Sequence, residues 1–481
     1  MALLTDLYQL TMAYGYWKAG LAQREAVFHL FFREAPFGGG FTIACGLAAA
    51  IEYLENLRFD EEDCRYLADL TGADGKPLFE PAFFEMLQRL PPALDVDAVP
   101  EGTVVFPHEP LLRVRGPIIQ SQLLETPLLT LFGFPTLVAT KAARVVHAAR
   151  GEPVFEFGLR RAQGIDGGVT ASRAAYVGGC AGTSNLLAGQ LFGIPVKGTH
   201  AHSWVMCFDD ELQAFQAYAD AMPNNAVFLV DTYDTLEGVR RAVEVGRRLR
   251  AQGHDLLGIR LDSGDLAYLS IQARKILDEA GFPQAMIIAS NDLDEHLIDS
   301  LKQQGAAIAA WGVGTKLATS ADDPSLGCVY KLSAIRDPGG PWVPRLKLSE
   351  QAVKVSNPGM LQVRRFVERG EAVGDAIYDE LDPPAESDRK RCVIVDPADP
   401  VRRKAISPQS EHVDLLVPVF RDGRRVHEVP TLEQTRRYVQ DQLALFHGGV
   451  KRRLNPHRYP AGLEERLFER KTEMILRLRG L

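Results

Sequence analysis

LGIRLDS, residues 257–263, is a short apolar run that turns polar at its C-terminal end. Five more segments are built the same way: VFEFG (154–158), IPVKGT (194–199), VFLVDT (227–232), MIIASN (286–291) and AIAAWGVG (307–314). Each has the length of a strand and reads as a buried one. Between them lie helical patterns such as LEGVRRAVEVGRRLRAQG and DLAYLSIQARKILDEAG. Strand then helix, repeated about six times, predicts a parallel α/β architecture. The polar residues gather at the C-terminal strand ends, where a barrel carries its chemistry, so the series is read as a barrel. An open doubly wound sheet meets the same periodicity.

Working outward, residues 5–20 predict a helix capped by Thr5 or Asp6 and ended by Gly20. AVFHLFF then reads as a strand, PFGGGF as a turn, and the chain returns to helix up to about Leu57. EGTVVF and LLRVRG, near 101–116, alternate as antiparallel strands do, and 121–150 is helical. Beyond Ser333, DPGGPWVP, SNPG and DPADP mark turns between short strands, and a final amphipathic helix starts near Leu432. The expected division is an N-terminal α+β domain (1–150), an α/β barrel (151–335) and a C-terminal appendage (336–481).

Composition narrows the partners. Of 481 residues, 46% are hydrophobic and 24% charged, the balance of a protein with a large core. The net charge of −8 and the lack of a long run of one sign give no reason to expect nucleic acid. The cysteines (45, 64, 180, 207, 328 and 392) lie far apart without a CxxC pair, which suits reduced thiols in a cytoplasmic enzyme. The first twenty residues hold neither a basic leader nor an apolar run long enough to span a bilayer, so no membrane partner is expected.

The strand ends carry the candidate chemistry. In EFGLRRAQG (156–164), Arg160 can clamp a phosphate or carboxylate and Phe157 can stack on a flat ligand. The plainer reading is a salt-bridged surface arginine beside a core ring. GIRLDSGDL (258–266) sets Arg260, Asp262 and Asp265 together. One aspartate is expected to cap the next helix, leaving Arg260 for an anion and the other carboxylate for Mg²⁺. In AWGVGT (310–315), Gly312, Gly314 and Thr315 could expose amides and a hydroxyl to a phosphate, or form an ordinary turn. SND (290–292) reads first as a helix N-terminus, then as a ribose or phosphate contact.

GTHAHS (198–203) places His200 and His202 two apart. Zinc would need further ligands at suitable spacing, and no strand-end segment offers a second His or Cys pair. A serine nucleophile would need a G-x-S-x-G elbow, which this stretch lacks. A nucleophile or general base among phosphate-gripping neighbours remains, as does a structural role; one histidine of the pair is assigned to each.

Taken in order, LLTDLYQLTMAYGYW, FHLFFREAPFGGGF, EFGLRRAQGIDGG, GTHAHSWVM, LVDTYDT, GIRLDSGDL, SND, GVGT, LGCVYKL and KLSEQAVKVSNPG resemble the nicotinate phosphoribosyltransferase family, as do LLVPVFRDG and LNPHRYP near the end. The resemblance implies the irregular (β/α) barrel of type II phosphoribosyltransferases. It implies a reaction of nicotinate with 5-phosphoribosyl 1-pyrophosphate, driven by ATP through a phosphohistidine, in NAD biosynthesis. By motif it makes His202 the phosphoryl acceptor, puts nicotinate against Tyr8, Thr199 and Arg260, and gives Thr315 a phosphoribosyl contact. Phe157 and Arg160 match positions that stack on the pyridine and grip phosphate in the related nicotinamide enzyme. A homodimer is implied, with Tyr8 completing the neighbour's site. Position 200 holds an aspartate in nicotinamide-using relatives; histidine here favours the acid substrate over the amide.

Rival readings each make a demand. A nicotinamide enzyme would turn over the amide, and a quinolinate enzyme would need a denser basic cluster. An aldolase would need a Schiff-base lysine, for which Lys197 and Lys316 are the candidates. A non-catalytic pyridine-nucleotide sensor predicts decayed clamps, whereas Arg160, His202, Arg260 and Thr315 are all present.

Overall fold

The computed structural model describes residues 1–90, 93–351, 354–383 and 392–481. Ala352 and Val353 of the KLSEQAVKVSNPG motif fall outside the described residues. The chain forms two compact units, Val138–Pro324 and Met1–Leu137 with Ser325–Leu481.

The Val138–Pro324 unit is built on a six-stranded sheet in the order Gly182–Thr183, Val154–Glu156, Ala310–Val313, Met286–Ala289, Gly258–Leu261, Val227–Leu229. Every pairing in it is parallel. Val154–Glu156, the first of these strands in sequence, pairs with the last, Ala310–Val313; the other pairs are sequential neighbours, and Gly182–Thr183 and Val227–Leu229 stand at the two edges. Strand residues such as Phe228, Ile259, Ile287 and Trp311 are buried, as in strands covered on both faces. Crossover helices follow, and acidic residues start them: Asp234, Asp265 and Asp294 each accept backbone N–H groups at the helix N-terminus.

Two sequence readings need correction in this unit. IPVKGT forms only an isolated parallel bridge, Val196 to Thr183, because Pro195 has no N–H to give a ladder. SND does not open a helix: Asn291 and Asp292 have φ of 94° and 32°, and the cap is Asp294.

In the other unit, an antiparallel sheet runs in the order Val343–Pro344, Val329–Arg336, Glu25–Phe31, Leu112–Pro117, Asp95–Ala98, Val417–Arg421, Arg424–Arg425. The three N-terminal strands lie side by side in the middle with strands from beyond residue 325 on both flanks, so 336–481 shares one unit with the N-terminus, unlike the three-part division read from sequence. The junctions fall at 137/138 and 324/325, the first inside the helix Glu125–Ala149. That helix and its neighbour make a 32-residue stretch, Ile118–Ala149, containing an 18-residue window of mean hydropathy 1.4, long and apolar enough to cross a membrane. Its Leu128, Phe132, Leu137 and Val145 are buried, as in the core helix of a folded protein. The expected single C-terminal helix is two, Leu432–Ala444 and Glu465–Leu478, separated by the Gly- and Pro-containing segment 447–460 and the strand Ala461–Glu464.

Candidate active site

At the C-terminal ends of the parallel strands lies a cleft of about 710 Å³. Phe157, Arg160, Thr199, Arg260, Asp262, Gly312, Gly314 and Thr315 all line it. Residues chosen from separate strand ends therefore converge on one hollow.

Arg260 ends the Gly258–Leu261 strand, and its Nη1 donates to Thr199 Oγ1 at 2.6 Å. Its Nε is buried without a partner. Burial pulls the guanidinium below its ordinary value; Asp262 and Asp231 oppose this, and Arg160 adds to it. The group remains a cation in any working range. Asp265 is the helix cap, accepting from Tyr268 N at 3.0 Å, so Asp262 is the aspartate that faces the cleft. Asp262 Oδ1 accepts from Ser290 Oγ at 2.5 Å, and its backbone N–H donates to Asp231 Oδ2 at 2.7 Å.

Phe157 and Gly312 are fitted together. A Cβ on Gly312 would lie 2.6 Å from Phe157 Cδ2, so the bare strand position is the bed on which the ring rests. The freedom that glycine supplies at 312 thus serves the aromatic ring, where the sequence suggested approach to a phosphate. Gly314 and Thr315 keep the open position, at the start of the short helix Thr315–Ala318.

The two histidines separate. His200 is buried, with Nε2 accepting from Leu229 N at 3.2 Å and its ring 4.8 Å from that of Tyr218. The bond links the 194–200 segment to the Val227–Leu229 strand, where strand pairing is interrupted. Burial lowers its pKa to about 4, so the ring is neutral and structural. It is not among the residues lining the cleft. His202 starts the helix His202–Met206 and is partly exposed. Its Nδ1 lies 3.1 Å from Thr232 Oγ1, and its Nε2 lies 3.8 Å from Asp262 Oδ2.

Tyr8 belongs to the other unit, exposed in the first turn of the helix Leu7–Lys18. Sequence reasoning passed over Asp231 and Thr232, which close the quoted run VFLVDT, and that position was the signal that could have found them. Ser290, Asn291 and Asp292 of the SND stretch line the cleft. Neither Lys197, which is exposed, nor Lys316 is among the residues lining the cleft, and nor is His202, which approaches it through Asp262.

Fold and site together define an α/β protein whose parallel strand ends gather two arginines, an aromatic ring and glycine backbone around one cleft. Three family models cover most of the chain: the nicotinate phosphoribosyltransferase (NAPRTase) N-terminal domain at residues 3–132, the NAPRTase family at 153–338 and the NAPRTase C-terminal domain at 362–471. The chain belongs to the nicotinate phosphoribosyltransferase family. It is 42% identical to nicotinate phosphoribosyltransferase of Bacillus subtilis (strain 168), covering 99% of this chain and 95% of that protein. It is 36% identical to the Caenorhabditis elegans protein of that name, covering 97% and 92%. The crystal structure of human nicotinic acid phosphoribosyltransferase superposes with a TM-score of 0.85 at 34% identity, covering 98% and 100%. A nicotinate-nucleotide pyrophosphorylase from Pyrococcus furiosus, at 22% identity and a TM-score of 0.69 over 92% and 95%, shares the fold.

Proposed function

We propose that this chain joins nicotinate to 5-phosphoribosyl 1-pyrophosphate, giving nicotinate mononucleotide and pyrophosphate for NAD biosynthesis. The reading rests on the cleft in which the Arg260–Thr199 pair stands with the Phe157 ring laid on Gly312. A guanidinium suits the nicotinate carboxylate, and the ring offers the pyridine a stacking face. Arg160, Gly314 and Thr315 are the groups for phosphate. As the pyridine nitrogen bonds to the anomeric carbon and pyrophosphate departs, the sugar gains oxocarbenium character; cationic clamps favour that charge separation. The parallel sheet, with its first and last strands paired, is read as an irregular barrel of the type II kind.

In this reading ATP is a co-substrate. An imidazole nitrogen of His202 takes its terminal phosphoryl group, ADP leaves, and water later frees the phosphate. The added charge shifts the site between states of different affinity. Mg²⁺ would neutralise the leaving pyrophosphate. Asp262 at the cleft and the buried, unpartnered Oδ1 of Asp231 are the carboxylate oxygens on offer. The assembly is proposed as a homodimer in which Tyr8 completes the neighbour's site, working in the cytoplasm, where thiols stay reduced.

The test is to incubate the protein with labelled ATP and map acid-labile phosphate, then compare turnover of nicotinate with nicotinamide. Label on the His202 peptide and preference for the acid support the reading; preference for the amide overturns its substrate, and absence of label overturns its ATP step.

A further inference from the structure

The Met1–Leu137/Ser325–Leu481 unit holds a second hollow, of about 310 Å³, that the reaction proposed above does not use. Lys404, His447, Arg452, His457, Tyr459 and Glu371 stand in its wall. Lys404 comes from the edge strand Arg403–Ala405 and Glu371 from the start of Glu371–Asp379. The others come from the segment between the two C-terminal helices, which carries the LNPHRYP motif that the proposed reaction leaves without a role.

The segment is held by its own backbone. Val450 N donates to His447 O at 3.0 Å, and His457 N to Gly449 O at 2.9 Å. A Cβ on Gly449 would lie 3.0 Å from His447 Nδ1 and 3.2 Å from His457 Cβ, so the bare position lets the two histidines come together. His447 Nδ1 accepts from Gly449 N at 3.0 Å, which leaves the ring proton on Nε2 as a donor.

Charge in the hollow is unbalanced. Lys404, His447, Arg452 and His457 have no acidic partner within ion-pair distance among the described residues, whereas the neighbouring Arg458 is held by Asp396 at 2.6 Å. Glu371 is the acid in the wall, and its charge already acts on Lys451, whose amine burial lowers and Glu371 raises. The Tyr459 hydroxyl donates to Asp375 Oδ1 at 2.8 Å, and Asp375 is paired with Arg365 at 2.6 Å, so that side supplies no free carboxylate.

We propose that this hollow binds a phosphate-bearing small molecule, as inorganic phosphate or as the phosphate of a nucleoside monophosphate. A phosphate dianion supplies the acceptor oxygens that a guanidinium fork, an ammonium and two imidazole N–H groups require. The volume lies at the lower end of small-molecule sites, about 300–1,000 Å³, enough for a phosphate and a small body.

The experiment is calorimetric titration of the full-length protein with inorganic phosphate and, separately, adenosine 5′-monophosphate. One binding event is expected to survive Arg160→Ala and to weaken at least about tenfold in Arg452→Ala and in Lys404→Ala, with unchanged thermal unfolding midpoints. Tighter binding of the monophosphate identifies a nucleotide site, and equal or tighter binding of phosphate a free-anion site. No event in the wild-type protein, or events that all vanish with Arg160→Ala and ignore both other variants, would overturn the proposal. Because Arg160 and Arg452 report separately, failure here is distinguishable from failure of the transferase reading.

Discussion

Arg260 Nη1 and Thr199 Oγ1 are joined at 2.6 Å, while Arg260 Nε is buried and unpartnered. A buried guanidinium N–H in a cleft calls for an acceptor. If that acceptor is the nicotinate carboxylate, Arg260→Ala removes a charge-assisted bond of about 1.5–3 kcal/mol, and KM for nicotinate should rise roughly 10- to 100-fold. Arg260→Lys should behave like the alanine variant, because an ammonium cannot reproduce the fork. Thr199→Val should cost less than about tenfold. Steady-state kinetics in nicotinate check this; an unchanged KM would remove Arg260 from the carboxylate.

Gly312→Ala tests the ring bed. Its new methyl would overlap Phe157 at Cδ2 (2.6 Å) and Cε2 (2.7 Å), and Ser290 Cβ waits 3.5 Å away. Such overpacking typically costs about 1–3 kcal/mol. The variant should therefore lose stability in urea unfolding and bind nicotinate more weakly. Phe157→Leu, which frees space, should leave folding nearly intact yet still weaken binding. Equal nicotinate affinity in both would separate the ring from the substrate.

The sequence made the parallel sheet legible because strands buried on both faces are continuous apolar runs, and because polar residues gather at one end of each. Arg160, Arg260, Asp262 and Thr315 could be chosen on that ground before their convergence was visible. Thr232 and Asp231 were hidden by brevity: one hydroxyl and one carboxylate after a strand look like any helix entry, and only the hydrogen bonds at 3.1 Å and 2.7 Å give them roles. The interleaving of N- and C-terminal strands in one sheet was out of reach, since pairing such as Val27 with Ala334 leaves no local pattern.

Thr232 bears on the phosphohistidine proposed at His202. With its hydroxyl 3.1 Å from His202 Nδ1, it can hold the imidazole in one orientation and tautomer. His202→Ala should abolish acid-labile labelling by ATP. Thr232→Val, nearly the same shape without the hydroxyl, should lower the labelling rate about three- to tenfold, in line with one lost hydrogen bond. Synthesis measured without ATP should be untouched in Thr232→Val. A labelling rate equal to wild type would show that the hydroxyl does not position the ring.

His200 sets a limit at acid pH. Its folded pKa of about 4 lies below the ordinary value of 6.5, chiefly through burial, with Arg260 and His202 adding to the shift. Between these values the unfolded chain takes up a proton that the folded chain refuses, so stability falls as pH drops from about 6.5 toward 4. One such histidine is worth up to about 3 kcal/mol across that window. His200→Gln keeps an acceptor for Leu229 N–H and does not titrate, so its urea midpoint should fall less steeply over that range. The slope should not vanish, because burial also lowers His108 to about 4 and His29 well below its usual value. Parallel pH profiles for wild type and His200→Gln would mean that the ring titrates alike in the folded and unfolded chain, so that burial does not hold it neutral.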